Sequence, residues 1–250
     1  MKKISQSNIN YFQFSRMEGL PNFVHGIFTR IGGYSNKPYD SLNISFNVGD
    51  DPVAVRKNTQ RIVDVMELSQ FQSLKQTHSS QIHVIDMPKH DSLIGDAMIT
   101  MQPDILLIIK TADCQPVLLA DPINQCVAAI HSGWRGSVQN IIGKTIAKML
   151  ALGSKPENII AGIGPSLGPC CAEFIHYKQE LPEYMWAYAV RPNYFNFWAI
   201  SKMQLLNKGV LDNNIEISKM CTKCCPKLYY SYRRQKISGR FGCVIGIKTN

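Results

Sequence analysis

No apolar run in this chain is long. The longest, Ile105–Ile109 and Val117–Ala120, last only a few residues, whereas a membrane-spanning helix needs about 20 consecutive apolar residues. Short runs rich in branched side chains and bounded by turn-forming residues read as buried strands. On that basis Leu106–Lys110, Val117–Ala120 and Cys126–Ile130 are core strands that follow one another closely. Ile82–Asp86 and Ile159–Ile163 are further short strands, and Arg240–Lys248 closes the chain as another. Phe28–Gly33 reads as a strand end running into a glycine turn.

Segments of helical period lie between them. Asp51 followed by Pro52 is a helix start, with the aspartate as cap and the proline in the first turn. Val55, Ile62, Val63 and Met66 then recur at helical spacing. Ser137–Leu150 carries Ile141, Ile142, Thr145, Ile146 and Met149 on one face. Ser201–Lys208 is helical and stops at Gly209, a C-terminal cap. No repeat and no linker rich in Pro, Ser or Gly interrupts the chain. The expectation is a single domain, residues 1–250, of α/β or α+β class, with mixed sheets flanked by helices.

A chain of this length buries a core without disulfides. Its N-terminus has two lysines but no apolar core segment behind them, so it does not read as an export signal. A cytoplasmic location follows as the expectation, and the eight cysteines read as reduced thiols. Cys170–Cys171 and Cys224–Cys225 are adjacent pairs, awkward as disulfide partners of each other. Cys221-Thr-Lys-Cys224 has a metal-type spacing, but no matching second pair lies nearby in sequence, so structural thiols are the favoured reading.

The net charge is +9, which suits nucleic acid, an anionic membrane surface or anionic small substrates. The densest basic stretch, Tyr229–Lys236, interleaves tyrosines with arginines as a single-strand binder would. The same alternation fits a plain β-strand with one solvated face, the preferred reading. Because the basic residues are dispersed, anionic small molecules are the expected partners, with no nucleic acid and no membrane.

Three segments bring chemistry. Gln76–His83 contains His78, Thr111–Pro116 contains Cys114, and Ile130–Gly136 contains His131. Each places a soft or borderline metal ligand in a turn beside a strand, where scaffolds present functional groups. Two imidazoles and one thiolate leave a fourth tetrahedral position open, as in catalytic zinc sites. The residues alone leave a second reading open, in which the histidines are hydrogen-bonded structural residues and Cys114 is an inert buried thiol. A third makes Cys114 the nucleophile of a thiol hydrolase with a histidine as base.

At these residues the sequence resembles the YfiH-like family, also called laccase-domain or multicopper polyphenol oxidase proteins, which is associated with purine nucleoside phosphorylase activity. The matching segments are Thr29–Ser35, Ser41–Asn43, Val48–Pro52, Gln76–His78, Gly95–Ala97, Thr111–Cys114, His131–Gly136, Gly162–Pro165, Cys221–Thr222, Ser231–Arg234 and Gly239–Arg240. Their order and combination are specific, and they span nearly the whole chain. The resemblance implies a fold like that of a glutamine-deamidating toxin domain, and a metal held by His78, Cys114 and His131. Zinc is the expected ion, with copper as the alternative that would go with polyphenol oxidation. It also implies phosphorolysis of adenosine, inosine and methylthioadenosine, with adenosine deamination beside it. Arg30, Asn43, Gln76 and Arg234 fall in its motifs as substrate-binding residues, and Arg135, Arg233 and Arg240 are further phosphate candidates. Asp113, next to Cys114, reads as an acid/base or, preferably, as a strand-end hydrogen-bonding group. One departure is visible: a cysteine-tyrosine-glutamate of the family reads Cys171-Ala172-Glu173 here, which removes an aromatic side chain from a pocket wall.

Overall fold

The computed structural model describes residues 1–89 and 93–249. Two mixed sheets lie face to face. One is seven-stranded and runs Lys2–Gln6, Ile9–Gln13, Phe23–Phe28, Phe241–Ile247, Ile105–Thr111, Gln70–Lys75, Leu93–Ile94. The other is six-stranded and runs Ile215–Ile217, Ile160–Ile163, Gln115–Asp121, Cys126–Ser132, Ala97–Thr100, Ile82–Val84. Most neighbours are antiparallel, but Gln70–Lys75 runs parallel to both Ile105–Thr111 and Leu93–Ile94, Ile82–Val84 parallel to Ala97–Thr100, and Ile160–Ile163 parallel to Ile215–Ile217.

The continuous apolar runs have a simple cause. In Ile105–Thr111, Leu107 and Ile109 point between the sheets, where they meet Leu118, Ala120, Val127, Ala129, Cys243 and Ile245. Leu106 and Ile108 point the other way, against Ile62, Val63 and Met66 of the helix Pro52–Met66. In the second sheet Val117, Leu119, Ala128 and Ile130 likewise face outward, onto Ile141, Ile142, Ile146 and Met149 of the helix Ile141–Ala151. A strand covered on both faces alternates direction but never needs a polar residue. The layers are therefore helix, sheet, sheet, helix, the expected mixed α/β class.

Helix starts follow their caps. The Asp51 side chain accepts the Val53 amide ahead of Pro52. The single helix expected over Ser137–Leu150 is two: Trp134–Val138, then Ile141–Ala151. Asn140 adopts a left-handed conformation between them (φ 55°), and its side chain accepts the Gly143 amide, starting the second helix afresh. Gly209 (φ 84°) ends the helix Phe197–Leu206 as expected of a C-terminal glycine.

Tyr229–Lys236 is not a strand, which corrects that reading. Tyr229 and Tyr230 are consecutive and both buried, which a one-sided strand does not permit. The Tyr230 hydroxyl donates to the Tyr39 carbonyl, and the Ser231 hydroxyl and carbonyl accept the amides of Arg234 and Gln235. Local turn chemistry and two buried rings override the alternating pattern. Among the described residues no helix is long and apolar enough to cross a membrane.

Candidate metal and substrate site

Both His78 and Cys114 lie on connections that carry the chain from one sheet to the other. The first links Gln70–Lys75 to Ile82–Val84, and the second links Ile105–Thr111 to Gln115–Asp121. His131 lies near the end of Cys126–Ser132, paired with Pro116 two residues beyond Cys114. The three ligand atoms lie within 4.8 Å of one another. Cys114 Sγ is 3.7 Å from His78 Nε2, and the two imidazole rings meet edge to face at 5.0 Å.

Asp96 organises this group. It is fully buried immediately before Ala97–Thr100, the strand beside His131. Its Oδ1 sits 2.8 Å from His131 Nδ1 and accepts the His78 amide at 3.0 Å. Its Oδ2 accepts the Ser79 amide and hydroxyl and the Thr77 amide. One carboxylate thus fixes both the ring of His131, leaving Nε2 to face Cys114, and the turn that carries His78, itself left-handed at φ 61°. A carboxylate behind a ligating imidazole is the usual outer support of a metal site.

Electrostatics follow from the same contacts. Burial opposes ionisation of Cys114, but the positive charge on His131 and hydrogen bonds from both imidazoles outweigh it and bring the thiol down to about 6. Burial likewise disfavours an imidazolium at His131, yet the Cys114 thiolate and the Asp96 carboxylate hold its pKa up at about 9. Asp96 stays far below the usual carboxylate range against its own burial, through His131 and Ser79.

The donor set fits a metal ion. Two imidazoles and a thiolate are the ligands of a borderline cation such as zinc or copper, and such ions take the place of the ligands' protons. The space beside them is kept open by Gly133, where a Cβ would lie 2.7 Å from the His78 ring and 3.0 Å from Cys114 Sγ.

Two recesses meet at this point. A cleft of about 530 Å³ is lined by Gln76, His78, Lys110, Cys114, His131, Tyr232, Arg233 and Arg240 among others. A smaller, mostly apolar recess opens beside it, walled by Trp134, Leu167, Ala172, Phe174 and Phe197. Gln115 also lines this recess, and its buried Nε2 has no hydrogen-bond partner among the described residues. Ala172 therefore sits where the sequence suggested a missing aromatic, on a pocket wall.

The expected substrate residues divide. Gln76 lines the cleft, but its amide is engaged on both sides with the Lys110 backbone, at 2.7 and 2.9 Å. Arg30 is not brought to the triad. It lines a separate depression with Asp40, Ser41, Pro226 and Lys227, packs on the Tyr230 ring at 4.5 Å and pairs with Asp40. Asn43 is also outside the cleft: it is fully buried, and its amide binds Ser45, Asp50 and the Arg240 backbone amide. It holds Arg240 rather than facing the cleft. Arg234 points along the surface to the Lys223 carbonyl. The glycines and polar residues of these motifs pinned loops together, a role that resemblance alone does not distinguish from contact with substrate.

The sequence reading missed Lys110 and Asp96 and did not single out Arg240. Lys110 is a strand residue whose ammonium is lowered to about 8 by burial. Neither Lys110 nor Arg240 forms an ion pair among the described residues. Asp113 is committed on both oxygens, to the Thr222 hydroxyl at 2.7 Å and the Arg233 amide at 2.6 Å, as its strand-end reading anticipated.

Residues 24–248 match the family described as multi-copper polyphenol oxidoreductase laccase. The chain is 30% identical over 240 residues to purine nucleoside phosphorylase LACC1 of Mus musculus, covering 90% of this chain and 55% of that protein. It is 32% identical over 228 residues to purine nucleoside phosphorylase YfiH of Shigella flexneri, covering 87% of this chain and 90% of that one. Among solved structures it matches YlmD from Geobacillus stearothermophilus with a TM-score of 0.88 at 26% identity, over 99% of this chain and 100% of that chain. It matches the Bacillus licheniformis protein YfiH with a TM-score of 0.87, also at 26% identity, over 97% of both. A family match over residues 24–248, 32% identity across 87% of the chain and 90% of the Shigella protein, and a shared fold along nearly its full length make this chain a member of the multi-copper polyphenol oxidoreductase laccase family, the YfiH-like proteins.

Proposed function

We propose that the chain is a purine nucleoside phosphorylase that works with zinc held by His78, Cys114 and His131. The observation that carries this reading is an open three-ligand site at the junction of a cationic cleft and an apolar recess. The names of the mouse and Shigella relatives point the same way. We take residues 1–250 as one domain, because both sheets contribute to the one site.

Phosphorolysis forms a bond between a phosphate oxygen and C1′ of the ribose while the bond from C1′ to the base breaks and its electron pair leaves with the base. Lys110 and Arg240, which form no ion pair among the described residues, hold the phosphate against C1′, which converts a bimolecular encounter into a positioned one. Trp134, Phe174 and Phe197 take the face of the purine, and the Gln115 amide donates to an acceptor on its edge. Alanine at 172 leaves room for a bulkier base or substituent. A zinc ion in the triad would supply a Lewis-acid centre with one open position. Asp96 holds the His131 ring in place throughout. Adenosine deamination is the phosphate-independent reaction of the same pocket.

A second reading has its own support. Cys114, His131 and Asp96 stand in the order nucleophile, base and orienting carboxylate, with the thiol shifted toward thiolate, the arrangement of a thiol hydrolase. Products from adenosine, measured with and without phosphate on zinc-loaded and chelator-stripped protein, separate the readings. Adenine and ribose 1-phosphate, formed only with both zinc and phosphate, are expected. Inosine formed without phosphate assigns deamination, and metal-independent turnover that iodoacetamide abolishes assigns the thiol. No turnover of any purine nucleoside by zinc-loaded protein overturns the proposal.

A further inference from the structure

A second cluster of ligands lies on the loops beside the recess. The Sγ atoms of Cys170, Cys171, Cys221 and Cys224 all lie within 4.8 Å of one another. Those of Cys170 and Cys171 are 3.7 and 3.6 Å from that of Cys224. A tetrahedral zinc ion with bonds to sulfur of ~2.3 Å requires sulfur atoms about 3.8 Å apart. A disulfide brings two sulfurs to ~2.0 Å and gives no reason for two more to gather around them. We propose that these four cysteines hold a structural zinc ion, separate from the His78–Cys114–His131 site.

The backbone is shaped for this. Cys221-Thr-Lys-Cys224 has the two-residue spacing of a zinc knuckle. Its missing second pair, absent nearby in sequence, is supplied in space by the turn after Gly168, where the amides of Cys171 and Ala172 both donate to the Gly168 carbonyl. The backbone laces the two segments together: Ser166 and Cys221 form a parallel bridge, and the Thr222 amide donates to the Ser166 carbonyl at 3.0 Å. Gly168 permits the approach, since a Cβ there would lie 3.2 Å from Cys221 Cβ and 2.8 Å from the Trp198 ring. Four thiolates and Zn²⁺ sum to −2, and Lys223 within the knuckle and Arg191, which donates to the Cys170 carbonyl at 3.1 Å, lie beside that charge. The fifth cysteine of the region, Cys225, packs instead against the core between the sheets.

Four protein thiolates leave no open position, so the ion is structural. What it would hold is the outer wall of the substrate site. Thr222, inside the knuckle, binds Asp113, the Leu167 amide donates to the Asp113 carbonyl, and Ala172 lines the recess. Glu173, next along the turn, accepts the Arg233 guanidinium through its carbonyl.

The test removes the first site and asks whether metal remains. Cys114→Ala protein, purified with zinc and reductant, is expected to retain about one zinc per chain, with an X-ray absorption edge showing four sulfurs at ~2.3 Å. That zinc should be lost when Cys170→Ser and Cys224→Ser are added. As a readout that does not depend on the folding of the triple variant, the folded Cys114→Ala protein is also titrated with a mercurial, which should release its zinc in step with four thiols. Zinc-free Cys114→Ala protein, a shell containing nitrogen or oxygen, or a disulfide among these four cysteines would each overturn the proposal.

Discussion

The His78–Cys114–His131 group sits where the chain crosses between the two sheets, while the Cys170–Cys171–Cys221–Cys224 group sits on two loops outside them. In the first, the ligands come from three distant segments, and a single buried carboxylate, Asp96, fixes two of them. In the second, all donors are thiols, two are exposed to solvent, and the loops are joined by backbone hydrogen bonds without a supporting carboxylate. On the readings proposed above, the difference is that of a site that keeps a position open and one that is filled. A rigid frame holds ligands apart from the geometry the ion prefers alone, so it can leave a vacant coordination position for substrate. The thiol cluster has no such frame of strands around it, only the backbone bonds between its two loops.

Removing a ligand from the framed site should cost activity and not the fold. Cys114→Ala is expected to lower phosphorolysis by about 10³-fold or more, since several kcal/mol of charge stabilisation depend on the ion, with the melting temperature within a few degrees of the parent. An unfolded Cys114→Ala protein would erase the contrast between the two clusters. Calorimetry alongside product assays decides.

Asp96→Asn tests whether the frame does what the geometry indicates. It keeps the shape but loses the acceptor shared by His131 and the His78 turn, and should cost about 10–100-fold in zinc affinity or activity. Competition with a coloured chelator measures the affinity. Equal affinity in the variant would mean that the ligands arrange themselves, as in the loop cluster.

The cleft cations give a smaller effect. Arg240→Met should raise KM for phosphate about 10-fold, corresponding to ~1.4 kcal/mol, with zinc content unchanged. Lys110 sharpens this through pH. Its pKa is lowered to about 8 by burial, so it is charged below that value and loses its charge as pH rises through it. KM for phosphate should therefore climb above pH 8 in the parent, and Lys110→Arg, which stays charged, should flatten the climb. Arg30→Ala, by contrast, should change turnover less than about 2-fold and lower stability by ~1 kcal/mol, the scale of its partly exposed contacts with Asp40 and Tyr230. A loss of phosphate binding in Arg30→Ala as large as in Arg240→Met would move the phosphate to the other depression.

Much of this protein was legible from residue order alone, and the reason is local. Buried strands such as Val117–Ala120 must be short and apolar because both of their faces are covered, and Asp51-Pro52 starts a helix by satisfying its own first amides. His78, Cys114 and His131 stood out because each combines a metal-type donor with a turn beside a strand, and the family resemblance selected the same three. What the chain order did not contain was distance across the fold. Arg30 and Arg240 carry the same charge in equally glycine-rich surroundings, and only the packing of Tyr230 under one and the cleft beside the other separates them. Asp96 is one acidic residue among many until strand pairing sets it beside His131. Cys170 and Cys221 lie too far apart along the chain to be read as one group. Sulfur atoms meet through space, so it took the bridge between Ser166 and Cys221, a tertiary contact, to bring the four thiols together.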